Sequence, residues 1–204
     1  MVKPNETSGF FQNDGIQVLN HGECNYVRIK LDGNHASREN AHILVSSASY
    51  KDIIKYKWYL GKHGYPVTYQ SLDNEEKFGT GLKLHKMLLG LNLWVINQNI
   101  RNSNSSKRMV IDHINRNKLD NRLENLRICS AKENSYNTSK RCNKENSKYK
   151  GVKKQGKSGK WIATITKDGN MHEIRDISTE KEAAQIYDLL AENLFGDYAG
   201  KNFS

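Results

Sequence analysis

The feature that most constrains this chain is a polar segment at residues 110–127, VIDHINRNKLDNRLENLR, which must reverse the chain between two short apolar stretches. The pair Val110-Ile111 predicts a short strand, so Asp112 and His113 stand where that strand passes into a loop. Residues 115–120 (NRNKLD) are of the types that favour a turn. The sequence therefore predicts a strand, a tight turn and a return strand, with polar side chains concentrated at the turn.

The return of the chain defines the first candidate pair. Leu123, Leu126 and Ile128 are spaced to bring the chain back against the first strand, which places Asn125 beside His113. An asparagine carbonyl that accepts from one imidazole nitrogen leaves the other nitrogen able to take a proton. We therefore predict that Asn125 orients His113, and that His113 acts as a general base.

A helix start follows the return strand. The sequence SAKE at 130–133 has the form of a capping box, which places Asn134 in the first helical turn, where its side chain can face Asp112. Two oxygen donors suit a hard divalent ion that keeps several waters. An acidic ligand, a poised histidine and an amide are the parts needed to hydrolyse a phosphodiester, with His113 activating water and the ion stabilising charge on the phosphate and the departing 3′ oxygen.

Taken singly, these residues have simpler explanations. An Asp-His pair in a loop is more often structural or merely solvated, and an asparagine in a turn usually satisfies local backbone. His85 has two possible roles. It is either a core or helix-start histidine bonded to backbone, or it takes part directly in catalysis. The remaining histidines lie outside any constellation and are expected to be structural or solvent-facing: His21, His35, His42, His63 and His172.

The charge of the chain restricts its partners. A formal net charge of +10 and a pI near 9.4 in 23.4 kDa imply an acidic partner, with nucleic acid first and an anionic membrane surface second. No run approaches the roughly 20 apolar residues that span a bilayer, and the N-terminus lacks the apolar run of a signal peptide. We expect a cytoplasmic protein without membrane association, and we infer no obligatory protein partner.

The cysteines exclude one class of site. Cys24, Cys129 and Cys142 are widely spaced and form no CxxC pair. This spacing predicts neither a disulfide framework nor a cysteine-rich zinc site, so we expect reduced thiols.

Alternating apolar residues predict a small antiparallel N-terminal region over residues 1–80. The segment 26–31 alternates as a half-buried strand with 42–45 as its partner, and 58–60 with 65–69 predicts a second hairpin. After Leu84-His85, the spacing of Met87, Leu88 and Leu91 predicts a helix, and the polar residues 97–108 predict a surface loop.

A basic, polar stretch marks a boundary near residues 138–148, which are rich in Lys and Arg and almost free of apolar residues. We place the nuclease segment at 81–138, a basic linker at 139–148 and a separate domain at 149–204.

Three strands and a helix are predicted for this last domain. Residues 150–153, 160–166 and 171–177 alternate and are separated by glycine-containing turns. Thr179 and Glu182 form a second capping box, and the helix ends at Gly196. Its apolar stripe comprises Ala183, Ala184, Tyr187, Leu190, Ala191 and Leu194.

The helix covers one face of this sheet and leaves the other face open. Alternation exposes Lys150 or Lys153, Trp161 or Ile162, and both Thr164 and Thr166 on the open face. A basic sheet surface with an aromatic side chain suits the major groove of DNA. The residues allow equally that Trp161 belongs to the core and that the lysines only keep the surface soluble.

The nuclease segment resembles the HNH (ββα-metal) nuclease family as found in homing endonucleases, through D-H-x-N-x-N-x-x-D-N-x-x-x-N-L-R at 112–127 and an asparagine on the next helix. The resemblance implies Asp112 and Asn134 as metal ligands, His113 as the base, Asn125 as its orienting residue, and one Mg²⁺ or Mn²⁺ per active site. Leu84-His85-Lys86 is similar to an upstream H-R element of the family, which makes His85 a structural residue or a phosphate contact. It also implies a phage or mobile-element gene, and hence an intracellular protein of an infected host.

The C-terminal segment resembles the plant APETALA/ethylene-response-factor DNA-binding domain over about residues 149–203. The motifs are YKGV, KWIATI, T-x-K-E-A-A-x-x-Y-D-x-x-A-x-x-x-F-G and A-x-x-N-F. The family's Leu-Gly-x-Phe before the helix is replaced by residues 174–177 (IRDI), and the Glu and Arg of its central strand are replaced by Thr164 and Thr166. Threonine discriminates bases weakly compared with arginine on guanine, so the family's base-recognition pattern does not transfer.

Together these observations predict an α+β protein with a small antiparallel N-terminal β region, a ββα-metal core and a three-stranded antiparallel sheet packed on one helix. The function they favour is that of a site-targeted endonuclease, a homing endonuclease by resemblance, that acts on double-stranded DNA. The alternatives are a non-catalytic DNA-binding regulator and an RNA-binding protein. The residues expected to contact DNA are Lys86, Arg127, Lys140, Arg141, Lys150, Lys153, Lys154, Lys160, Trp161, Thr164, Thr166 and Arg175.

Overall fold

A computed structural model describes residues 16–21, 24–31, 41–70, 77–90, 108–139 and 147–203. The chain divides into two compact units, Met1–Cys129 and Ser130–Ser204. Small, mostly antiparallel sheets and short helices make it an α+β protein, as the sequence predicts. Within the described residues, no helix has both the length and the apolar character needed to cross a membrane.

The first unit begins with an antiparallel sheet of β1 (Ile16–His21), β2 (Cys24–Lys30) and β3 (His42–Ser46). The pairing of β2 with β3 confirms the predicted first hairpin, whose connecting residues 32–40 lie outside the described residues. A 3₁₀ turn at Ser47–Ser49 leads into a short helix α1 (Tyr50–Ile53).

A second sheet follows in the first unit. β4 (Tyr59–Leu60) pairs antiparallel with β5 (Pro66–Gln70), which confirms the second predicted hairpin. β6 (Lys77–Lys83), which the apolar pattern did not predict, pairs with β5. The helix α2 follows directly, with residues 84–90 described as helical. Leu91 and the predicted loop residues 97–107 lie outside the described residues.

One hydrophobic core joins the N-terminal strands to α2. Met87 and Leu88 pack against it from the helix, as their spacing predicts, and so does Leu119 from the 110–127 segment. The buried members are Val27, Leu31, Ala41, Ile43, Val45, Ile53, Trp58 and Leu84. The N-terminal strands therefore support the polar segment directly.

The polar segment forms β7 (Met109–His113), β8 (Asp120–Asn121), a 3₁₀ turn at Leu123–Asn125 and β9 (Leu126–Ser130). β7 and β9 pair as a two-stranded sheet, which confirms the predicted reversal. The short β8 joins the N-terminal sheet in parallel with β3, giving the order β1-β2-β3-β8. The turn of the polar segment is thus fixed by hydrogen bonds to a sheet made elsewhere in the sequence.

The second unit opens with the helix α3 (Ala131–Tyr136). Its capping box is formed in both directions between Ser130 and Glu133, as predicted. The ring of Tyr136 stacks on that of Phe195 with centroids 3.9 Å apart, so α3 packs within this unit.

The rest of the second unit is the predicted sheet and helix. β10 (Val152–Lys154), β11 (Trp161–Lys167) and β12 (Asn170–Ile177) form an antiparallel sheet in sequence order. α4 (Glu180–Phe195) has the predicted capping box and ends at Gly196. Its apolar stripe packs on one sheet face through Ala183, Ala184, Tyr187 and Ala191, against Val152, Ala163, Ile165 and Ile177.

A glycine allows the close approach of this helix. Gly151 has a φ of +69°, and a Cβ built there would lie 2.0 Å from Cδ2 of Tyr187 and 2.6 Å from the carbonyl oxygen of Thr164. No side chain fits in that space, so the residue before β10 must be glycine for Tyr187 to pack on the sheet.

The predicted domain boundaries at 80/81, 138/139 and 148/149 stay predictions. The division into compact units falls instead between Cys129 and Ser130. Residues 140–146 of the predicted basic linker, including Lys140 and Arg141, lie outside the described residues.

Candidate active site

Asp112 and His113 are the last residues of β7, and both are buried. The chain turns tightly after them, because the Arg116 amide, in a residue with a φ of +63°, donates to the His113 carbonyl at 2.8 Å. The Ile114 amide donates to the Asn125 carbonyl at 2.9 Å, which brings Asn125 back next to His113, as the sequence predicts.

Asn121 makes the amide contact to the imidazole of His113. Its side-chain oxygen lies 3.3 Å from Nε2 of His113. The Asn121 amide nitrogen donates to the Lys118 carbonyl at 3.0 Å, which fixes the oxygen as the atom facing the ring. An Nε2–H that donates to this oxygen makes Nδ1 the basic nitrogen of the neutral ring.

The side chain of Asn125 makes different contacts from the one expected. Its side-chain oxygen accepts from the Asn115 amide at 2.9 Å, and its nitrogen donates to the Asn115 side chain at 3.0 Å and to the Asp120 carbonyl at 2.7 Å. The contact predicted between Asn125 and the imidazole is therefore corrected to Asn121. Asn125 closes the loop from which Asn121 projects, because its amide matches three groups of that loop.

Asp120 fixes the other side of the loop. Its carboxylate is 2% exposed and accepts from Nε and Nη2 of Arg122 at 2.8 and 2.7 Å, and from Asn115 at 2.8 Å. Burial alone would raise the pKa of the Asp120 carboxyl, but the hydrogen bonds and charge of Arg122 outweigh it and hold the pKa below its ordinary value of 3.8. The loop that carries Asn121 is thus held by a buried ion pair.

Asp112 is paired across the two-stranded sheet with Arg127. Nε and Nη2 of Arg127 both donate to Oδ2 of Asp112, at 3.0 and 2.7 Å. The guanidinium compensates the buried carboxylate, because it supplies both charge and hydrogen bonds. Arg127 was expected to contact DNA. The structure shows it bound to Asp112, the candidate metal ligand, and a contact between Arg127 and DNA stays a prediction.

Three rings meet beside the strand end. The His85 and His113 centroids are 5.2 Å apart in an edge-to-face arrangement, and the Tyr65 ring lies 5.0 Å from the first and 6.1 Å from the second. His85 is buried, and its Nδ1 has no hydrogen-bond partner among the residues that the structure describes. A purely structural histidine was expected to bond to backbone, and Nδ1 of His85 makes no such bond within the described residues.

Burial keeps both histidines neutral near neutral pH. It lowers the pKa of His85 to about 3, with further lowering by the charges of His113, Lys83 and Lys86. Burial also lowers the pKa of His113, although the Asn121 hydrogen bond and the charges of Asp112 and Asp120 oppose it. A neutral His113 can accept a proton, which a charged ring cannot.

The donor chemistry at this strand end fits a hard divalent ion. No group of three or more His, Cys, Asp or Glu side chains suited to a metal occurs among the described residues. One buried carboxylate with an amide oxygen and waters is a ligand set typical of Mg²⁺ or Mn²⁺, but not of structural zinc. Asp112 belongs to the first unit and Asn134 to α3 of the second, so the pairing of these two ligands stays a prediction.

Sequence reasoning missed four residues at this site. Asn121 could have been suspected from the paired D-N within the turn, and Lys118 from its place in the same turn. Tyr65 and Lys83 come from the preceding hairpin and strand, and no local pattern connects them with His113.

The other histidines fit the structural expectation where they are described. His63 and His172 are exposed, and Nδ1 of His42 lies 3.3 Å from the Arg28 guanidinium. The side chain of His21 and all of His35 lie outside the description.

The open face of the C-terminal sheet carries several polar and charged side chains. Because Val152 and Ala163 are core partners, alternation places Lys153, Thr164 and its register partner Glu173 on the opposite face. Glu173 pairs with both Lys153 at 2.8 Å and Arg175, which is 63% exposed. The two predicted DNA-contacting cations on this face thus share one carboxylate.

Lys150 and Trp161 were each one of two residues that could be exposed on the open face, and the structure gives both of them other contacts. The Lys150 ammonium donates to the Tyr136 carbonyl at 2.9 Å and to the Gly200 carbonyl at 3.4 Å, so its charge serves the fold instead of the open face. Trp161 packs partly against the core, with Lys154 Nζ 5.7 Å from its ring centroid. Of the remaining predicted contacts, Lys86, Lys154, Lys160 and Thr166 are exposed.

Comparison with known proteins gives a consistent result. A sequence profile of HNH endonucleases matches residues 103–136. The chain is 40% identical over 158 residues to an uncharacterized HNH endonuclease of Acanthamoeba polyphaga mimivirus, covering 78% of this chain and 73% of that protein. It is 36% identical over 93 residues to Protein 3.8 of Escherichia phage T7, covering 46% of this chain and 75% of that protein. No solved structure matches it significantly.

Proposed function

The chain belongs to the HNH endonuclease family, and from that premise we propose that it is a site-targeted endonuclease of double-stranded DNA, of the homing type. In this proposal Asp112 and His113 form its active site. The single observation that carries the proposal is the arrangement at the end of β7. There a buried carboxylate and a neutral imidazole belong to consecutive residues, and each has its own partner, Arg127 for Asp112 and Asn121 for His113.

The proposed reaction is hydrolysis of one phosphodiester bond. Nδ1 of His113 takes a proton from a water molecule as the water oxygen attacks phosphorus, and the bond from phosphorus to the 3′ oxygen breaks. Asn121 keeps the ring in the tautomer that has a basic Nδ1. The departing 3′ oxygen takes a proton from solvent water, and His113 then returns its proton to solvent, so the products are a 5′ phosphate and a 3′ hydroxyl.

Asp112 and Asn134 would hold one Mg²⁺ or Mn²⁺. When bound, such an ion supplies electrostatic stabilisation of the charge that develops on the phosphate and on the departing oxygen. Arg127 sets the position of the Asp112 carboxylate through two bonds to Oδ2. Asn125 and Asp120 hold the loop that brings Asn121 to the ring.

We propose that the C-terminal unit supplies the targeting, as an APETALA/ethylene-response-factor-type domain. The sheet face opposite α4 presents Lys153, Thr164 and Arg175, and such polar and basic side chains on a sheet suit the major groove. Exposed Lys154 and Lys160 lie at one end of the sheet, where phosphates would pass. Lys86, Lys140 and Arg141 would add contacts to the phosphate backbone of the DNA.

The test is metal-dependent cleavage of supercoiled plasmid by the purified full chain. With Mg²⁺ or Mn²⁺ we expect nicked or linear product, and with EDTA none. Asp112→Asn and Asn134→Ala should each reduce the cleavage rate by about 100-fold or more, with DNA affinity in EDTA changed less than about threefold. Lys51→Gln, an exposed residue of α1, is the matched surface control.

Two results would count against the proposal. Binding to DNA without cleavage under any divalent ion would favour a non-catalytic DNA-binding regulator. Structured RNA that competes better than duplex DNA in the same assay would move the substrate to RNA.

A further inference from the structure

Two lysines converge on the ring of Tyr65, and both Tyr65 and Lys83 lie outside the residues that the HNH profile covers. Nζ of Lys83 lies 4.4 Å from the ring centroid, and Nζ of Lys118 lies 4.6 Å from it. Lys83 ends β6, whereas Lys118 lies in the turn between β7 and β8. The two ammonium groups that contact this ring therefore come from separate parts of the fold, the end of β6 and the turn between β7 and β8.

The loop before Tyr65 fixes this arrangement. The Gly61 amide donates to the Tyr65 carbonyl at 2.9 Å, which closes the hairpin between β4 and β5. Lys118 Nζ also donates to the His63 carbonyl at 2.9 Å, so the hairpin and the β7–β8 turn are joined at this point. The lysine position is thus held by a ring and a carbonyl, which limits the entropy it would lose on binding a ligand.

Lys83 and Lys118 carry the positive charges at this ring. Among the ion pairs formed within the described part of the chain, none includes Lys83 or Lys118. Lys118 is exposed and Lys83 is half-buried, while the neighbouring His85 and His113 are buried. A pair of ammonium groups is accordingly presented next to the general base, on the side where Tyr65 lies.

We propose that Lys83 and Lys118 bind backbone phosphate of the DNA strand beside the bond that His113 addresses, and that Tyr65 is the positioning residue that holds them there. The inference rests on the proposed function, since it takes the ligand to be the substrate strand. A phosphodiester is the anion that such a strand offers at every nucleotide, and an ammonium suits it as a point charge. The tyrosine contributes through its ring, by cation–π contact with both ammonium groups.

The first experiment measures DNA affinity against salt for the full chain in EDTA, so that it does not depend on cleavage. Each of Lys83→Gln and Lys118→Gln should lower affinity roughly five- to tenfold near 0.1 M salt and reduce the slope of log K against log salt by about 0.9. The double variant should reduce the slope by about twice as much. Lys51→Gln removes one surface charge away from the proposed contact, so it should leave both the affinity and the salt slope close to those of the wild type.

The second experiment locates the contact. A duplex carrying one neutral methylphosphonate is scanned across the target, and affinity is again measured in EDTA. For the wild-type chain we expect a loss at one or two neighbouring phosphates of one strand. The double glutamine variant should show no further loss at those phosphates, because the neutralised charge then has no partner.

The ring is tested by a pair of variants. Tyr65→Phe keeps the ring and should keep wild-type affinity and salt slope, whereas Tyr65→Leu should approach the double glutamine variant. Equal losses in Tyr65→Phe and Tyr65→Leu would overturn the positioning role.

The phosphate contact is overturned if the glutamine variants retain the wild-type salt slope, or if they remain sensitive to every methylphosphonate that affects the wild type. Absence of cleavage by the wild-type chain with Mg²⁺ or Mn²⁺ would defeat the proposed function alone, because these binding measurements contain no metal.

Discussion

The side-chain oxygen of Asn121 lies 3.3 Å from Nε2 of His113, and its orientation is fixed by the bond from its amide nitrogen to the Lys118 carbonyl. This contact selects one tautomer of the ring and points the basic Nδ1 away from the asparagine. Asn121 is fully buried in the sheet formed by β3 and β8, so the choice of tautomer is built into the fold.

We expect Asn121→Ala to release that choice. In the metal-free protein, the ¹⁵N shifts of His113 should report the Nε2–H form for the wild type and a mixture for the variant. Cleavage should fall roughly 10- to 100-fold, as for other residues that orient a functional side chain. Asn193→Ala, an exposed substitution on α4, serves as the control. An unchanged tautomer in Asn121→Ala would contradict the orienting role.

The Asp120–Arg122 pair should make stability depend on acid pH. The pKa of Asp120 is held below 3.8 in the folded chain, so its stabilisation is present above the unfolded pKa and is lost as pH falls through the folded pKa. We expect Asp120→Asn to lower the free energy of unfolding by about 2–3 kcal/mol at neutral pH, since Arg122 loses a buried partner.

The measurement is urea unfolding of wild type and variant from pH 3 to pH 7. The difference between them should be constant above about pH 5 and should shrink below about pH 4. Asp52→Asn removes a surface pair in which Asp52 is 69% exposed, and it should cost less than about 0.5 kcal/mol at every pH. A difference that grows as pH falls would have the wrong sign for this pair.

Removal of Arg127 should expose the charge of Asp112 to metal. Arg127→Ala withdraws the guanidinium from a buried carboxylate, and we expect a loss of about 3 kcal/mol of stability in EDTA. Millimolar Mg²⁺ should recover part of this loss, because a divalent cation can replace the missing charge. Arg108→Ala, at an exposed residue just before β7, should be unaffected by either condition. Coincident unfolding curves with EDTA and Mg²⁺ for Arg127→Ala would argue against a cation at Asp112.

Gly151 offers a matched pair of glycine substitutions in the C-terminal unit. Gly151→Ala would bring its Cβ to 2.0 Å from Tyr187, so we expect more than about 3 kcal/mol of destabilisation and weakened DNA binding. Gly159 has a φ of +73°, and no atom of the described residues lies within 4 Å of an added Cβ, so Gly159→Ala should cost only about 1 kcal/mol. Unfolding followed by circular dichroism compares the two. Equal costs would show that the approach of Tyr187 is not what requires glycine.

Local sequence patterns predicted much of the fold. The strand before Asp112, the reversal, both capping boxes and the three strands with a helix at the C-terminus are each specified by neighbours in sequence. β6 was missed because its sequence, KFGTGLK, contains two glycines and little alternation. The parallel pairing of β3 with β8 was missed because a two-residue strand carries no periodicity.

The site was predictable in its residue types but not in its contacts. Asn121 and Asn125 are both turn asparagines, and only the path of the loop decides which amide reaches His113. The partner of Asp112 is a cross-strand arginine, which depends on the register of β7 and β9. Tyr65 arrives from a hairpin far away in sequence, so no local rule connects it with the histidines.

Single-turnover cleavage by His113→Ala tests the central claim most directly. With protein in excess over a plasmid or duplex substrate and Mg²⁺ present, we predict a rate at least about 100-fold below wild type, with the dissociation constant for DNA unchanged within about threefold. His172→Ala, at an exposed histidine of β12, should cut at the wild-type rate. A pure preparation of His113→Ala that cuts as fast as wild type would contradict the account.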